Sequence, residues 1–277
     1  MKKLLAIIKI SRPINILITF LVVIVSAIIC SNDFYFSQNI ILTALSASLI
    51  AAAGNVINDI FDYNIDLINR PSRPIPAKEL SINFAIILYV IFTALGLYLA
   101  YSISWELFFI AISVSLILLL YSYQLKGIIL LGNLTIALCT TLAFIYGGVS
   151  VNNWQDAIIP ASFAFLVNLI REIVKDVEDL KGDLENNILT FPSKFGLNST
   201  RILLIILITF LIAFTFYPVL KAIYRIEYFI LALFSVDLIL SYIIKILLQK
   251  DFKNKISQIS ILLKVSMLFG LIAIFIG

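Results

Sequence analysis

Seven polar side chains at the ends of two apolar runs have the types and the spacing for metal and anion chemistry. The segment N-V-I-N-D-I-F-D-Y-N-I-D, residues 55–66, follows an apolar stretch and carries Asn58, Asp59, Asp62 and Asp66. Helical periodicity puts Asn58, Asp62 and Asp66 on one face, four residues apart. The spacing then recurs: Asp176, Asp179 and Asp183 each stand 117 residues after Asp59, Asp62 and Asp66. Carboxylates at the C-terminal end of a helix oppose its dipole, and clustered carboxylates repel. Something positive must offset this. Mg²⁺ prefers hard oxygen ligands and takes one or two carboxylates together with substrate phosphate oxygens. Two acidic helix ends facing each other would therefore hold Mg²⁺ against a diphosphate. Stabilising the charge on a departing diphosphate is what ionising an allylic ester requires. Basic residues stand close in sequence to complete an anion clamp: Arg70 and Arg73 after the first cluster, Lys126, and Arg171 and Lys175 before the second.

The remaining composition narrows the chemistry. There is no histidine, so histidine bases and histidine metal sites are excluded. Cys30 and Cys139 both lie inside apolar runs and read as packing residues, not as a disulfide or as ligands. A formal charge of +4 is modest, and no nucleic-acid partner is expected.

The elements that position the acids are membrane spans. The 277 residues are 62% hydrophobic and 13% charged, too apolar for a soluble protein. A span needs about 20 mainly apolar residues. Nine stretches qualify: 13–31, 38–58, 82–101, 105–122, 129–149, 157–175, 200–218, 226–246 and 258–276. They are read as one all-α bundle and one domain, 1–277. Residues Lys3–Ile10 suit a short amphipathic helix at the interface, Pro13 suits a first helical turn, and Ser81 suits a helix cap. The N-terminal segment resembles a signal peptide only faintly, because it lacks a small-residue cleavage site and its apolar run continues past Pro13.

With nine alternating spans and the N-terminus inside, the 20 Lys and Arg residues divide 18 inside against 2 outside, Lys221 and Arg225. The positive-inside rule then puts the N-terminus and both acidic clusters in the cytoplasm and the C-terminus outside a cell membrane. On this topology the long inner connections are 59–80 and 171–200. Trp105 and Trp154 mark the outer interface, and the outer loop 31–38 holds nothing suited to chemistry. Lys245, Lys250, Lys253, Lys255 and Lys264 read as setting topology. The in-span residues Ser113, Asn133, Thr135, Thr140, Thr141 and Asn168 read as bonding neighbouring helices, with Asn168 also placed to line a cavity.

Taken together, these motifs resemble the UbiA superfamily of intramembrane prenyltransferases. Asn58, Asp59, Asp62 and Asp66 match its N-D-x-x-D-x-x-x-D, and N-R-P-S-R-P-I-P-A resembles the loop that follows it. Y-S-Y-Q-L-K-G, residues 121–127, is similar to its Y-S-x-x-L-K segment, which implies substrate contacts for Tyr123 and Lys126. R-E-I-V-K-D-V-E-D-L-K-G-D, 171–183, resembles the second motif. Lys78 departs from the pattern, since many members have Gly after P-A. The resemblance implies a helical bundle around a large cavity and Mg²⁺-dependent prenyl transfer. It implies Asn58, Asp62, Asp66, Asp179 and Asp183 as metal and diphosphate ligands, with Asp59 and Asp176 beside them. Lys126, Arg70, Arg73, Arg171 and Lys175 would hold the diphosphate.

Within the superfamily the chain is most similar to the archaeal branch. The implied reaction joins geranylgeranyl diphosphate to a lipid acceptor, geranylgeranylglyceryl phosphate, and forms the second ether bond of archaeal lipids. Lys9, Arg12 and Lys78 then become candidates for the acceptor's phosphate; their other reading is as anchors at lipid headgroups. Two alternatives remain at the level of the sequence: an aromatic acceptor on the quinone, haem O or chlorophyll routes, and a cation transporter with buried acids along its path. Against the transporter, the acids cluster at one face and do not run through the bilayer.

Overall fold

A computed structural model describes residues 2–31, 37–186 and 188–277. The described residues are all-α. In chain order the helices are α1 (Lys2–Ser11), α2 (Pro13–Cys30), α3 (Gln38–Phe61), α4 (Tyr63–Asn69), α5 (Ile82–Ile103), α6 (Trp105–Tyr123), α7 (Leu131–Val149), α8 (Ile158–Glu185), α9 (Phe191–Thr215), α10 (Tyr217–Leu220), α11 (Ile226–Leu231), α12 (Leu238–Leu247) and α13 (Ile256–Ile276). A π turn, Ala232–Asp237, joins α11 to α12 within one span. Nine helical segments among the described residues are long and apolar enough to cross a membrane, as the hydropathy pattern predicts. Most of the loop 31–38 lies outside the described residues.

The spans are helical because lipid offers no partners for backbone N–H and C=O groups, so each segment must satisfy its own. Their starts are written locally. Pro13 occupies the first turn of α2, while Ser37, Ser81 and Ser104 accept from Ile40 N, Phe84 N and Leu107 N. α1 is a helix, as expected: Leu4, Leu5 and Ile8 are exposed, whereas Ala6 and Ile10 are buried against α3 and α5.

α3 packs on α2, α5, α6 and α7 and is the centre of the first group of spans. α7 approaches α2 closely at Gly147, where a Cβ would lie 2.5 Å from the Val23 carbonyl oxygen. α8, α9, α11, α12 and α13 share a second core that includes Ile170, Ile173, Leu204, Ile208, Leu240 and Leu263. The contact of α7 with α8 joins the two groups. Phe109, Leu116, Ile206 and Phe234 are exposed on the outer faces, as lipid-facing residues should be.

Two sequence expectations change. The second acidic cluster does not lie on a connection: α8 continues to Glu185, ten residues beyond the expected end at 175. Its polar last turns stay helical because they dock against α4, and the connection shrinks to a few residues before α9. Before α9's apolar run comes a short helical turn from Phe191, where Thr190 N donates to Ser193 Oγ at 2.8 Å; Gly196 (φ 78°) then kinks the chain, and the apolar helix runs on from close to the expected start at 200. The in-span hydroxyls mostly bond their own helix. Ser113, Thr135 and Thr141 donate to the carbonyl four residues back, as does Asn168 through its side-chain amide, and Thr140 bonds within its own turn. Back-bonding of this kind satisfies a short polar side chain without a neighbour. Of the six residues, Asn133 reaches another helix. Ser26 and Ser46 also cross, to the carbonyl oxygens of Phe144 and Gly96.

Candidate active site

Asn58 and Asp59 end α3. The helical hydrogen bonding continues through them, from Asp62 N to Asn58 O and from Asp66 N to Asp62 O, both 2.8 Å. α4 is therefore nearly a continuation of α3, and the one-face spacing of Asn58, Asp62 and Asp66 survives the break at Asp62. α4 then docks on α8. Asn69 donates through Nδ2 to the Asp179 carbonyl oxygen at 2.9 Å and accepts from Gly182 N at 3.1 Å. A Cβ at Gly182 would sit 2.4 Å from Asn69 Nδ2, so a larger residue there would push the Asn69 side chain out of this joint. Arg70 completes the joint by donating to both carboxylate oxygens of Asp179, at 2.9 and 3.2 Å. Two acidic clusters 117 residues apart in sequence thus meet at one end of the bundle.

Most of the acids in the cluster have a basic or amide partner. Lys126, in the 3₁₀ turn Leu125–Gly127, donates to Asp62 Oδ1 at 2.5 Å, and Asn58 Nδ2 donates to Asp62 Oδ2 at 2.6 Å. Arg73 bridges Asp66 at 2.5 Å and Asp59 at 3.1 Å, while Arg12 holds Asp59 at 2.5 Å. Asp176 accepts from Asn133 at 2.8 Å. Lys175 and Arg171 share Glu172, at 3.2 and 3.6 Å. Asp183 differs: its Oδ1 is buried and has no hydrogen-bond partner among the described residues.

Burial and charge act in opposite senses on these groups. Burial pushes the Asp62 carboxyl up, but Lys126, with Lys175 and Arg73, outweighs it and holds the group below the ordinary carboxylate range. For Asp66 burial prevails over Arg73, and the nearby Asp62 and Asp59 add to it, so the carboxyl is raised. Burial works against the Arg73 charge, yet Asp59 and Asp66 hold its guanidinium above its usual value.

Among the described residues no three acids stand preassembled around one point as a metal site. The donor chemistry nevertheless fits Mg²⁺. Asp62, Asp66, Asp179 and Asp183 offer hard oxygens, the amide nitrogen of Asn58 is turned to Asp62 and leaves its oxygen for a ligand, and Asp183 holds a buried oxygen in want of a partner. Asp59 lies between Arg12 and Arg73, and Asp176 accepts from Asn133.

A cavity leads from this end into the bundle. Arg12, Asn55, Asn58, Asn168, Arg171 and Lys175 line its polar mouth, and residues such as Ile18, Ala47, Val114 and Ala143 line its depth. The unfilled space, open solvent at the mouth included, is about 1480 Å³. A second recess, walled almost wholly by apolar side chains, shares Ile18, Val22, Phe144, Ala164 and Met267 with it.

Some sequence candidates do not join this site. Lys9 donates to the Ser72 carbonyl oxygen and lies 3.9 Å from Glu79, on the surface. Tyr123 is 63% exposed and meets Phe61 edge-on, whereas Tyr121, two residues earlier, lines the cavity. Lys78 is exposed, and its φ of 58° explains why glycine suits the position: the left-handed region costs a side chain roughly 1–2 kcal/mol. Sequence reasoning missed Glu172 and Lys264, both on the cavity wall. The signal was available, because each is a charge set within an apolar span.

The family profile described as the UbiA prenyltransferase family matches residues 16–268. The chain belongs to that family. It is a multi-pass membrane prenyltransferase. The digeranylgeranylglyceryl phosphate synthase of Methanosphaera stadtmanae is 33% identical over 98% of both chains. That of Methanobrevibacter smithii is 36% identical over 98% of this chain and 96% of its own. A solved structure described as digeranylgeranylglyceryl phosphate synthase in membranes superposes with a TM-score of 0.78 at 32% identity, covering 100% of this chain and 99% of the other. A UbiA homologue from Archaeoglobus fulgidus bound to DMAPP and Mg²⁺ shares the fold, with a TM-score of 0.71 at 22% identity over 97% of this chain and 98% of the other.

Proposed function

We propose that this UbiA-family chain transfers the geranylgeranyl group of geranylgeranyl diphosphate to the free glycerol hydroxyl of geranylgeranylglyceryl phosphate, with Mg²⁺ as the required cofactor. The observation that carries this reading is the meeting of two acidic clusters with Lys126, Arg70 and Arg73 at the mouth of an apolar cavity. The name shared by the full-length relatives supports the acceptor. The ligands of the Archaeoglobus homologue support the metal and an allylic diphosphate.

Asn58, Asp62, Asp66, Asp179 and Asp183 would hold Mg²⁺, which when bound supplies Lewis-acid stabilisation of the departing diphosphate. Lys126, Arg70 and Arg73 now neutralise these acids; with substrate in place they turn part of that charge to phosphate oxygens. The apolar walls exclude water from the allylic carbon, so the glycerol hydroxyl is the nucleophile within reach. One C–O bond to diphosphate breaks with its electron pair on the diphosphate, one C–O bond to glycerol forms, and the hydroxyl proton passes to the released diphosphate. The charge asymmetry of the loops supports a cytoplasmic mouth and N-terminus in the cell membrane and an outer C-terminus.

The test is an assay of purified protein with geranylgeranyl diphosphate and either geranylgeranylglyceryl phosphate or an aromatic acceptor such as 4-hydroxybenzoate. Ether product should form with the lipid acceptor, vanish with EDTA, and return with Mg²⁺. Asp183→Asn should lower kcat at least about 100-fold, because it removes charge that answers the metal and the diphosphate. Turnover of the aromatic acceptor alone would discard the lipid assignment, and full activity in EDTA would discard the metal.

A further inference from the structure

We propose that Arg171 and Lys264 bind the phosphomonoester of the lipid acceptor, at a site separate from the diphosphate clamp of Lys126, Arg70 and Arg73. The inference rests on the acceptor class proposed above and assigns that acceptor's headgroup to particular side chains.

The charge balance of the cavity wall is the starting point. Four cations line it, Arg12, Arg171, Lys175 and Lys264, against one carboxylate, Glu172. Arg12 is held by Asp59 at 2.5 Å and Lys175 by Glu172 at 3.2 Å. Among the described residues Arg171 has only the far side of that shared Glu172, at 3.6 Å, and the Asn168 amide oxygen at 3.3 Å. Lys264 has no carboxylate within 4.0 Å among the described residues; Glu178 acts on it from further away and is itself shared with Arg70. Arg171 on α8 and Lys264 on α13 line the same cavity, and the two helices pack against each other. The diphosphate clamp is different, with each base within 2.9 Å of an acid. Two adjoining cations without a committed carboxylate, on the wall of an apolar chamber, call for a mobile anion. A phosphomonoester dianion matches the pair in charge, and Arg171 supplies the fork geometry that suits phosphate.

The layout along the helices matches an amphiphile. Met267 lies one turn from Lys264 on the same face of α13, and Asn168 and Ala164 lie one and two turns from Arg171 on α8. Both helices therefore pass from a cation to apolar wall in the same cavity, and Ala164 and Met267 border the second recess as well. A phosphate at Arg171 and Lys264 would leave its prenyl chain along Ala164 and Met267. A free anion without a chain would gain nothing from that wall.

The experiment compares wild type, Lys264→Gln and Lys264→Arg with two acceptors, geranylgeranylglyceryl phosphate and the same lipid without phosphate. The expected result is that Lys264→Gln lowers the preference in kcat/KM for the phosphorylated lipid about tenfold, equivalent to about 1.4 kcal/mol. The donor KM should stay within about twofold, and Lys264→Arg should restore the preference, which also shows that the position tolerates change. A shift in donor KM instead would place the pair in the diphosphate clamp and overturn the proposal. An unchanged preference would overturn it too and leave Lys264 as a lysine reaching for bilayer headgroups. Wild-type enzyme inactive on the phosphorylated lipid would refute the acceptor class itself, an outcome distinct from both.

Discussion

Replacing Arg73 by Met removes, among the described residues, the only cation that touches Asp66 and one of two that touch Asp59. The Asp59, Asp66 and Arg73 side chains are 3%, 5% and 14% exposed, so the lost interactions are not surface pairs that water would replace. With charge centres roughly 4 Å apart, the gross attraction between Arg73 and Asp66 is about 4 kcal/mol at an effective dielectric of about 20. Desolvation of the guanidinium returns part of this, and breaking a buried pair on one side typically costs about 3–5 kcal/mol. Asp59 keeps Arg12, so the loss should fall mainly on Asp66. In detergent, the variant should melt roughly 6–20 °C below wild type. The sign of its pH dependence follows from Asp66. Its carboxyl is already raised by burial, with Arg73 opposing, and loses that opposition in Arg73→Met. The folded variant then binds a proton more readily than the unfolded chain. Its deficit should be largest where Asp66 is ionised and shrink as pH falls and the carboxyl protonates. Asp66→Asn placed on top of Arg73→Met should recover part of the melting temperature but none of the activity. A variant as stable as wild type at neutral pH would refute the reasoning, as would a double variant no more stable than the single one.

Two further substitutions test the bundle itself. Gly147→Ala places a Cβ 2.5 Å from the Val23 carbonyl oxygen and 2.8 Å from Ser26 Cβ, so α2 and α7 must separate. A loss of about 1–3 kcal/mol is expected, read as a lowered melting temperature; an unchanged one would show that the contact yields freely. Ala164→Phe fills the junction between the main cavity and its apolar recess. The ratio of kcat/KM for C20 over C10 prenyl substrates should fall about tenfold, or about 1.4 kcal/mol, and an unaltered ratio would mean that the recess holds no prenyl chain.

Much of the architecture was written in local sequence. Nine apolar runs give, among the described residues, nine helices long enough to cross a membrane, because hydropathy and length alone decide what can satisfy its backbone in lipid. Pro13, Ser37, Ser81 and Ser104 fix helix starts within a few residues of themselves. The fourfold spacing of Asn58, Asp62 and Asp66 survives for the same reason: helical hydrogen bonds span four residues and need no distant partner. Reading failed where polar residues extend a helix beyond its apolar run. The last turns of α8 and the first turn of α9 owe their form to docking and to a cap, and hydropathy sees neither.

What remained for the tertiary structure was partnership. Sequence named Arg70, Arg73 and Lys126 as cations near acids; only packing set Arg70 on Asp179, Arg73 between Asp59 and Asp66, and Lys126 on Asp62. It also brought Lys264, which the charge pattern alone assigns to topology, onto the cavity wall near Arg171, and it turned Tyr123 away in favour of Tyr121. The physical reason is one of range. Periodicity fixes which side chains share a face within a turn or two, whereas groups a hundred residues apart meet only when whole helices choose their neighbours by fit, as α4 and α8 do around Gly182.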